Sequence, residues 1–194
     1  MEDREARPRT HEDLTRAVRA VARHFKTDTV YLIGSQAILA SWPDAPAATR
    51  MSVEFDAYPG NAAAWGARHP GLEASEEINA LFGFGSNFHV TFGFYIDGVD
   101  EQTAILPSDW KARAVRIVIE DENRKITAIA PSVDDLIVAK LARLDEKDKR
   151  FIAIWHQARP LDLRRILSLI DLTSLDPSRK RAARMFMESL SAID

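Results

Sequence analysis

Cysteine is absent from this 194-residue chain, which excludes disulfides, thiolate metal sites and a cysteine nucleophile. Any chemistry must come from carboxylates, Lys, Arg, His or hydroxyls. No apolar run approaches the roughly 20 residues that span a bilayer. The segment MEDREARPRTHEDL is too charged for a signal peptide. The expectation is a soluble, cytoplasmic protein with no membrane partner. A dominant charge is lacking as well: 26 Lys and Arg stand against 29 Asp and Glu, for a formal net charge of -3. Nothing therefore attracts a polyanion globally, and a nucleic-acid partner would need a local basic patch. Basic residues collect between Lys140 and Arg184, including Arg143, Lys147, Lys149, Arg150, Arg164, Arg165, Arg179, Lys180, Arg181 and Arg184. Solvated helix faces produce the same pattern.

The chain also lacks a P-loop, a dinucleotide glycine fingerprint and a locally supported Ser-His-Asp pattern. His11, His24, His69 and His156 have no metal-ligand spacing, and His89 reads as structural. Trp42, Trp65, Trp110 and Trp155 are scattered, which fits packing roles; Trp42 and Phe84 to Phe88 are the aromatics that could line a base pocket.

What is present suits one compact domain or a domain with a small helical appendage, at 46% hydrophobic and 28% charged residues. Leu14, Val18, Val21, Ala22 and Phe25 recur at helical spacing and predict an amphipathic first helix. Thr29 to Ile33 reads as a central strand, Gly34-Ser35 as a turn, and Gln36 to Ser41 as a short helix. A Pro-rich loop, Trp42 to Thr49, leads to a second strand, Met51 to Ala57, closed by Pro59 and Gly60. Residues 61 to 82 read as broken helix, and His89 to Ile96 alternates like a half-buried strand. A hairpin is expected over Ala114 to Glu120 and Lys125 to Ala130, followed by helices over 133 to 156, 161 to 172 and 177 to 191. Mixed strands followed by helices predict an α+β fold. The expected division is an α/β core over 1-131 and a helical C-terminal part over 132-194 that completes the active-site cleft, the whole forming one compact unit.

Alternation over residues 51 to 56 places Ser52, Glu54 and Asp56 on one face of the second strand. Two carboxylates on one face repel unless a cation lies between them. A hard divalent ion such as Mg²⁺, with Mn²⁺ as the alternative, takes one or two carboxylates and keeps positions for water and phosphate. The Gly34-Ser35 turn follows a strand and opens a helix, where backbone N–H groups and the Ser35 hydroxyl can meet phosphate oxygens. In the C-terminal part, Ser132-x-x-Asp135 reads as a capping box. The helix it starts carries an apolar stripe, Ile137, Leu141, Leu144, Phe151 and Ile152, into which Asp148 projects, with Lys140 and Lys147 flanking it. A buried carboxylate costs several kcal/mol unless it is paired. Asp148 must then have a cationic neighbour or face a wet cleft, unless a helix break near Leu144-Asp145 turns it to solvent.

Ile33-Gly34-Ser35-Gln36-Ala37 followed by Ser52-x-Glu54-x-Asp56 resembles the Gly-Ser and paired-carboxylate motif of the nucleotidyltransferase superfamily. The stretch Asp135-Leu136-Ile137-Val138-Ala139-Lys140, then Lys147-Asp148, resembles the AbiE and MenT nucleotidyltransferase toxins. The resemblance runs from about residue 30 to 156. It implies a nucleotidyltransferase-like mixed β-sheet flanked by helices, with an NTP as substrate. Glu54 and Asp56 would bind metal, Gly34, Ser35, Ser52 and Lys147 would bind the nucleotide, and Lys140 would neutralise triphosphate charge. Asp148 would orient Lys140 or the acceptor, with Asp145 as the fallback. It further implies a tRNA 3′ end as acceptor and a toxin role opposite a separate antitoxin. The residues depart from the superfamily pattern twice. The first acid is Glu54 rather than Asp, and no third carboxylate is evident on the next strand, since Asp97 falls at a turn-like Asp-Gly. A degenerate fold that binds nucleotide or protein without turnover, and an enzyme acting on a small-molecule acceptor, remain alternatives.

Overall fold

The computed structural model describes residues 7–191. These fall into two compact units. The first comprises the chain up to Thr103 together with Val115–Ala130, and the second comprises Ala104–Ala114 together with the chain from Pro131 onward.

The first unit is built on a five-stranded mixed sheet of order β3-β2-β1-β5-β4. The strands are β1 (Thr29–Ile33), β2 (Glu54–Pro59), β3 (Tyr95–Gly98), β4 (Val115–Asp121) and β5 (Arg124–Ala130). β1 runs antiparallel to β2 and parallel to β5, β2 runs parallel to β3, and β4 and β5 form a hairpin. Helix α1 (His11–Phe25) packs on β2, β1 and β5. Its apolar stripe, Leu14, Ala17, Val18, Val21, Ala22 and Phe25, is buried, and each large side chain so covered contributes roughly 1.5–3 kcal/mol. The helix starts at a capping box in which the Thr10 N–H donates to Asp13 Oδ2 (2.9 Å) and the Asp13 N–H donates to Thr10 Oγ1 (3.3 Å). A single-turn helix α2 (Ile38–Ser41) follows a 3₁₀ turn at Ser35–Ala37, and α3 (Ala62–Arg68) and α4 (Ala74–Phe82) follow β2.

Two expectations for this unit need correction. The second strand starts at Glu54, not Met51, so Ser52 precedes the pleat that was to orient it. The segment expected as a strand over His89 to Ile96 is a helix, α5 (Asn87–Phe92), followed by β3 from Tyr95. Ser86 caps that helix by accepting from the His89 N–H, and Gly93 ends it at φ +71°. The alternation of Val90, Phe92, Phe94 and Ile96 therefore spans two elements. Phe88 and Phe92 pair one helical turn apart, with ring centroids at 4.8 Å.

The second unit is helical: α6 (Trp110–Arg113), α7 (Val133–Arg143), α8 (Glu146–Ala158), α9 (Leu163–Asp171) and α10 (Pro177–Ser191). α7 packs against α8, α9 and α10. The helix expected over 133 to 156 is two helices. Leu144 adopts φ +54°, and Asp145 then caps α8 by accepting the Asp148 N–H at 2.8 Å. Among the described residues no helix is long and apolar enough to cross a membrane.

Candidate functional site

The turn after β1 and the acids of β2 meet at one point. Ile33 is the register partner of Asp56, so the chain leaves β1 directly beside that carboxylate. Gly34 has φ +68° and ψ -169°, a conformation open essentially to glycine alone. A Cβ built there would fall on Asp56 Oδ2. Glycine thus serves twice, once for the turn and once to let the carboxylate lie against the backbone. Ser35 behind it is buried. Gln36 is fully buried, and neither side-chain amide atom has a hydrogen-bond partner. An unsatisfied buried amide costs roughly 1–3 kcal/mol.

Along β2, Phe55 and Ala57 are buried, while Glu54 and Asp56 on the alternate face are half-buried. Phe55 anchors the inner face edge-to-face on Phe94, with ring centroids at 5.1 Å. The parallel register with β3 sets Tyr95 beside Glu54 and Asp97 beside Asp56. Tyr95 donates its hydroxyl proton to Glu54 Oε2 at 2.9 Å. Burial, then this hydrogen bond and the neighbouring acids, push the Tyr95 phenol up to about 12. Burial raises the Asp97 carboxyl above the usual range, and the Glu54 charge adds to the rise. Three carboxylates and a tyrosine therefore share one edge of the sheet. Asp97, expected in a turn, is the acid on the adjacent strand; β2–β3 pairing is non-local, and the sequence signal that could have found it was the cap pair Ser86 and Gly93.

Among the described residues no group of three or more His, Asp and Glu side chains is placed to hold a metal ion. Glu54 and Asp56 offer two hard oxygen donors on one strand face. Mg²⁺ is commonly held by one or two carboxylates, with water and phosphate oxygens filling the other positions.

In the second unit, Lys140 and Asp148 come together. Lys140 Nζ donates to Asp148 Oδ1 at 3.1 Å and lies over the Phe151 ring, 4.4 Å from its centroid. Arg143 Nε donates to Asp148 Oδ2 at 2.9 Å. Asp148 is fully buried and Lys140 is 4% exposed. Burial pulls the Lys140 ammonium below the usual lysine range, against the opposing pull of Asp148. Burial also acts to raise the Asp148 carboxyl, but the Arg143 hydrogen bond and Lys140 override it and hold the group low. The break at Leu144 does not turn Asp148 to solvent; it delivers the carboxylate to two cations. Lys147 is exposed. Asp135, the first residue of the Asp-Leu motif, is fully buried and paired with Arg113 Nη2 at 2.7 Å. Several basic residues of the C-terminal run are paired too: Arg165 with Asp134 at 2.8 Å, Arg184 with Asp171 at 2.5 Å and Arg179 with Asp176 at 3.7 Å. His89 is buried on α5, with its Nδ1 accepting the Gly85 N–H at 3.0 Å.

A mixed sheet in which a strand–Gly-Ser–helix turn abuts a strand bearing paired acids defines a nucleotidyltransferase-like fold. Residues 11–189 match the family model DUF6036, a nucleotidyltransferase of unknown function, and the chain belongs to that family. No curated protein and no solved structure matches the chain.

Proposed function

We propose that the chain is a Mg²⁺-dependent enzyme that transfers a nucleoside monophosphate from an NTP to an acceptor hydroxyl and releases pyrophosphate. The observation that carries this reading is the junction of Gly34 with Asp56. It brings a phosphate-competent turn and a metal-competent carboxylate into contact, with Glu54 one pleat away. Gly34 and Ser35 would hold the β and γ phosphates through backbone N–H groups and the serine hydroxyl. Glu54 and Asp56 would hold the metal. Bound there, Mg²⁺ supplies charge stabilisation at the phosphoryl oxygens and the leaving pyrophosphate.

Asp97 is placed beside Asp56 and its raised pKa suits a proton acceptor. In the proposed step it takes the proton of the acceptor hydroxyl. The freed oxygen bonds to the α-phosphorus while the bond from that phosphorus to the α–β bridging oxygen breaks. In the second unit, Lys140 held by Asp148 and the exposed Lys147 are the cations proposed to meet phosphate.

The Asp135–Lys140 and Lys147-Asp148 motifs favour a tRNA 3′ end as acceptor, as part of a toxin opposed by an antitoxin. The test is incubation of the protein with total tRNA, Mg²⁺ and each labelled NTP in turn. Label at the tRNA 3′ end, with binding that weakens linearly in log–log against salt, supports a tRNA acceptor; pyrophosphate release without labelled tRNA directs the reading to a small-molecule acceptor. One observation favours a second reading, a nucleotide-binding module without turnover: the first acid of the pair is Glu54, where the resembled pattern has Asp. Nucleotide binding without pyrophosphate release under any acceptor would establish it.

A further inference from the structure

Phe84 stands out of the surface of the first unit, 79% exposed, in the sequence Gly83-Phe84-Gly85. The tip that carries it is fixed. Gly85 turns the chain at φ +80°, and its N–H donates to the buried His89 at 3.0 Å. The Phe84 ring has two ring neighbours, His89 at 5.0 Å between centroids and Tyr95 edge-to-face at 5.7 Å. Tyr95 is the residue whose hydroxyl donates to Glu54 at 2.9 Å. A held, solvent-exposed aromatic ring therefore lies one tyrosine away from the acid proposed to bind metal. Phe84, Tyr95 and Glu54 thus form one chain of contacts, 5.7 Å between the two ring centroids and 2.9 Å from the tyrosine hydroxyl to the carboxylate.

We propose that Phe84 is the platform on which the base of the bound NTP stacks, an inference that rests on the reading of Glu54 and Asp56 as the triphosphate and metal site. Every base offers a π-face, so an aromatic platform adds affinity without strong base preference. The support from His89 and Tyr95 limits the rotamer freedom that stacking would otherwise have to remove. Tyr95 then links the two ends of the nucleotide, orienting Glu54 through its hydroxyl and Phe84 through its ring.

The test is calorimetric titration of the full chain with ATP, GTP, CTP and UTP, and with inorganic tripolyphosphate, all in Mg²⁺. Wild type, Phe84→Ala, Phe84→Trp and the Glu54→Gln/Asp56→Asn double variant are compared. The expected result is that Phe84→Ala weakens all four NTPs by about tenfold and leaves tripolyphosphate unchanged, while Phe84→Trp restores binding and its added fluorescence is quenched by nucleotide. If Phe84→Ala binds every NTP as wild type does while the double variant loses binding, the platform is overturned and the metal-site reading stands. Equal weakening of NTPs and tripolyphosphate would also overturn the platform, because the ring would then act through the fold rather than on the base. Failure of wild type to bind any of the four nucleotides would overturn both readings.

Discussion

Gly34→Ala tests the point on which the site is built, and it does so without reference to activity. Two penalties combine. A side chain at φ +68° and ψ -169° sits in a region that costs non-glycine residues of order 1–3 kcal/mol. The new Cβ would also fall on Asp56 Oδ2, and overpacking of this kind typically costs about 1–3 kcal/mol. Together they predict a loss of roughly 2–6 kcal/mol, a large share of the ~5–15 kcal/mol that holds a domain together. Gly71→Ala separates the two effects. Gly71 has φ +85°, but a Cβ there meets nothing within 4 Å, so that variant carries backbone strain alone. Urea unfolding followed by circular dichroism should place the Gly34→Ala midpoint on the order of 1–3 M below wild type, and Gly71→Ala much nearer to it. The steric part also requires Asp56 to move, and displacement by about 1 Å at a reacting centre can cost on the order of a hundredfold in rate. If Gly34→Ala proved no less stable than Gly71→Ala, the contact between the turn and the carboxylate would not constrain the site.

Four further outcomes follow from the geometry. Asp148→Ala removes the buried carboxylate that pairs with both Lys140 and Arg143 and should cost roughly 3–5 kcal/mol, whereas Lys140→Met leaves Asp148 paired with Arg143 and should cost less; urea unfolding of both variants checks the order. Because the folded-state pKa of Asp148 is depressed, its contribution is present above the ordinary carboxylate pKa and is lost as pH falls through the lower folded value, so Asp148→Asn should flatten the acid limb of a stability–pH profile. Asp97 carries the opposite sign. Its raised pKa makes stability fall as pH rises from the ordinary carboxylate value through the folded one, so Asp97→Asn should stabilise the protein at neutral pH and lose that advantage in acid, while removing the proposed proton acceptor from the transfer assay. Tyr95→Phe removes the hydroxyl that orients Glu54, and the Mg²⁺ concentration for half-maximal activity should rise by roughly tenfold; an unchanged Mg²⁺ titration would show that the hydrogen bond does not position the ligand.

The parts of the fold that sequence reasoning reached are those set by local rules. Helix α1 has a capping box and a clean apolar stripe, β1 is β-branched and ends at Gly-Ser, and the β4–β5 hairpin closes across a short polar turn. Asp148 was legible as an anomaly, a carboxylate in an apolar stripe that needed a cation. What escaped was non-local or lacked a breaker. Leu144 adopts a left-handed conformation with no glycine to announce it, although Asp145-x-x-Asp148 is the capping pattern that follows. Phe92, Gly93 and Phe94 alternate as a strand would, yet Gly93 ends a helix there, and the misplaced boundary hid Asp97. Side-by-side placement of Asp56 and Asp97 depends on parallel pairing of strands about forty residues apart in the chain, which no short motif encodes. Tyr95 became relevant only once that register set it beside Glu54.

The most direct measurement of the central claim compares reactions in Mg²⁺ and total tRNA that contain NTP labelled on either the α or the γ phosphate, for wild type and for Glu54→Gln/Asp56→Asn. Nucleotidyl transfer at the Gly34–Asp56 junction predicts that wild type moves the α label into acceptor and the γ label into pyrophosphate, and that the double variant moves neither. Appearance of the γ label in acceptor, or equal transfer by wild type and the double variant, would contradict it.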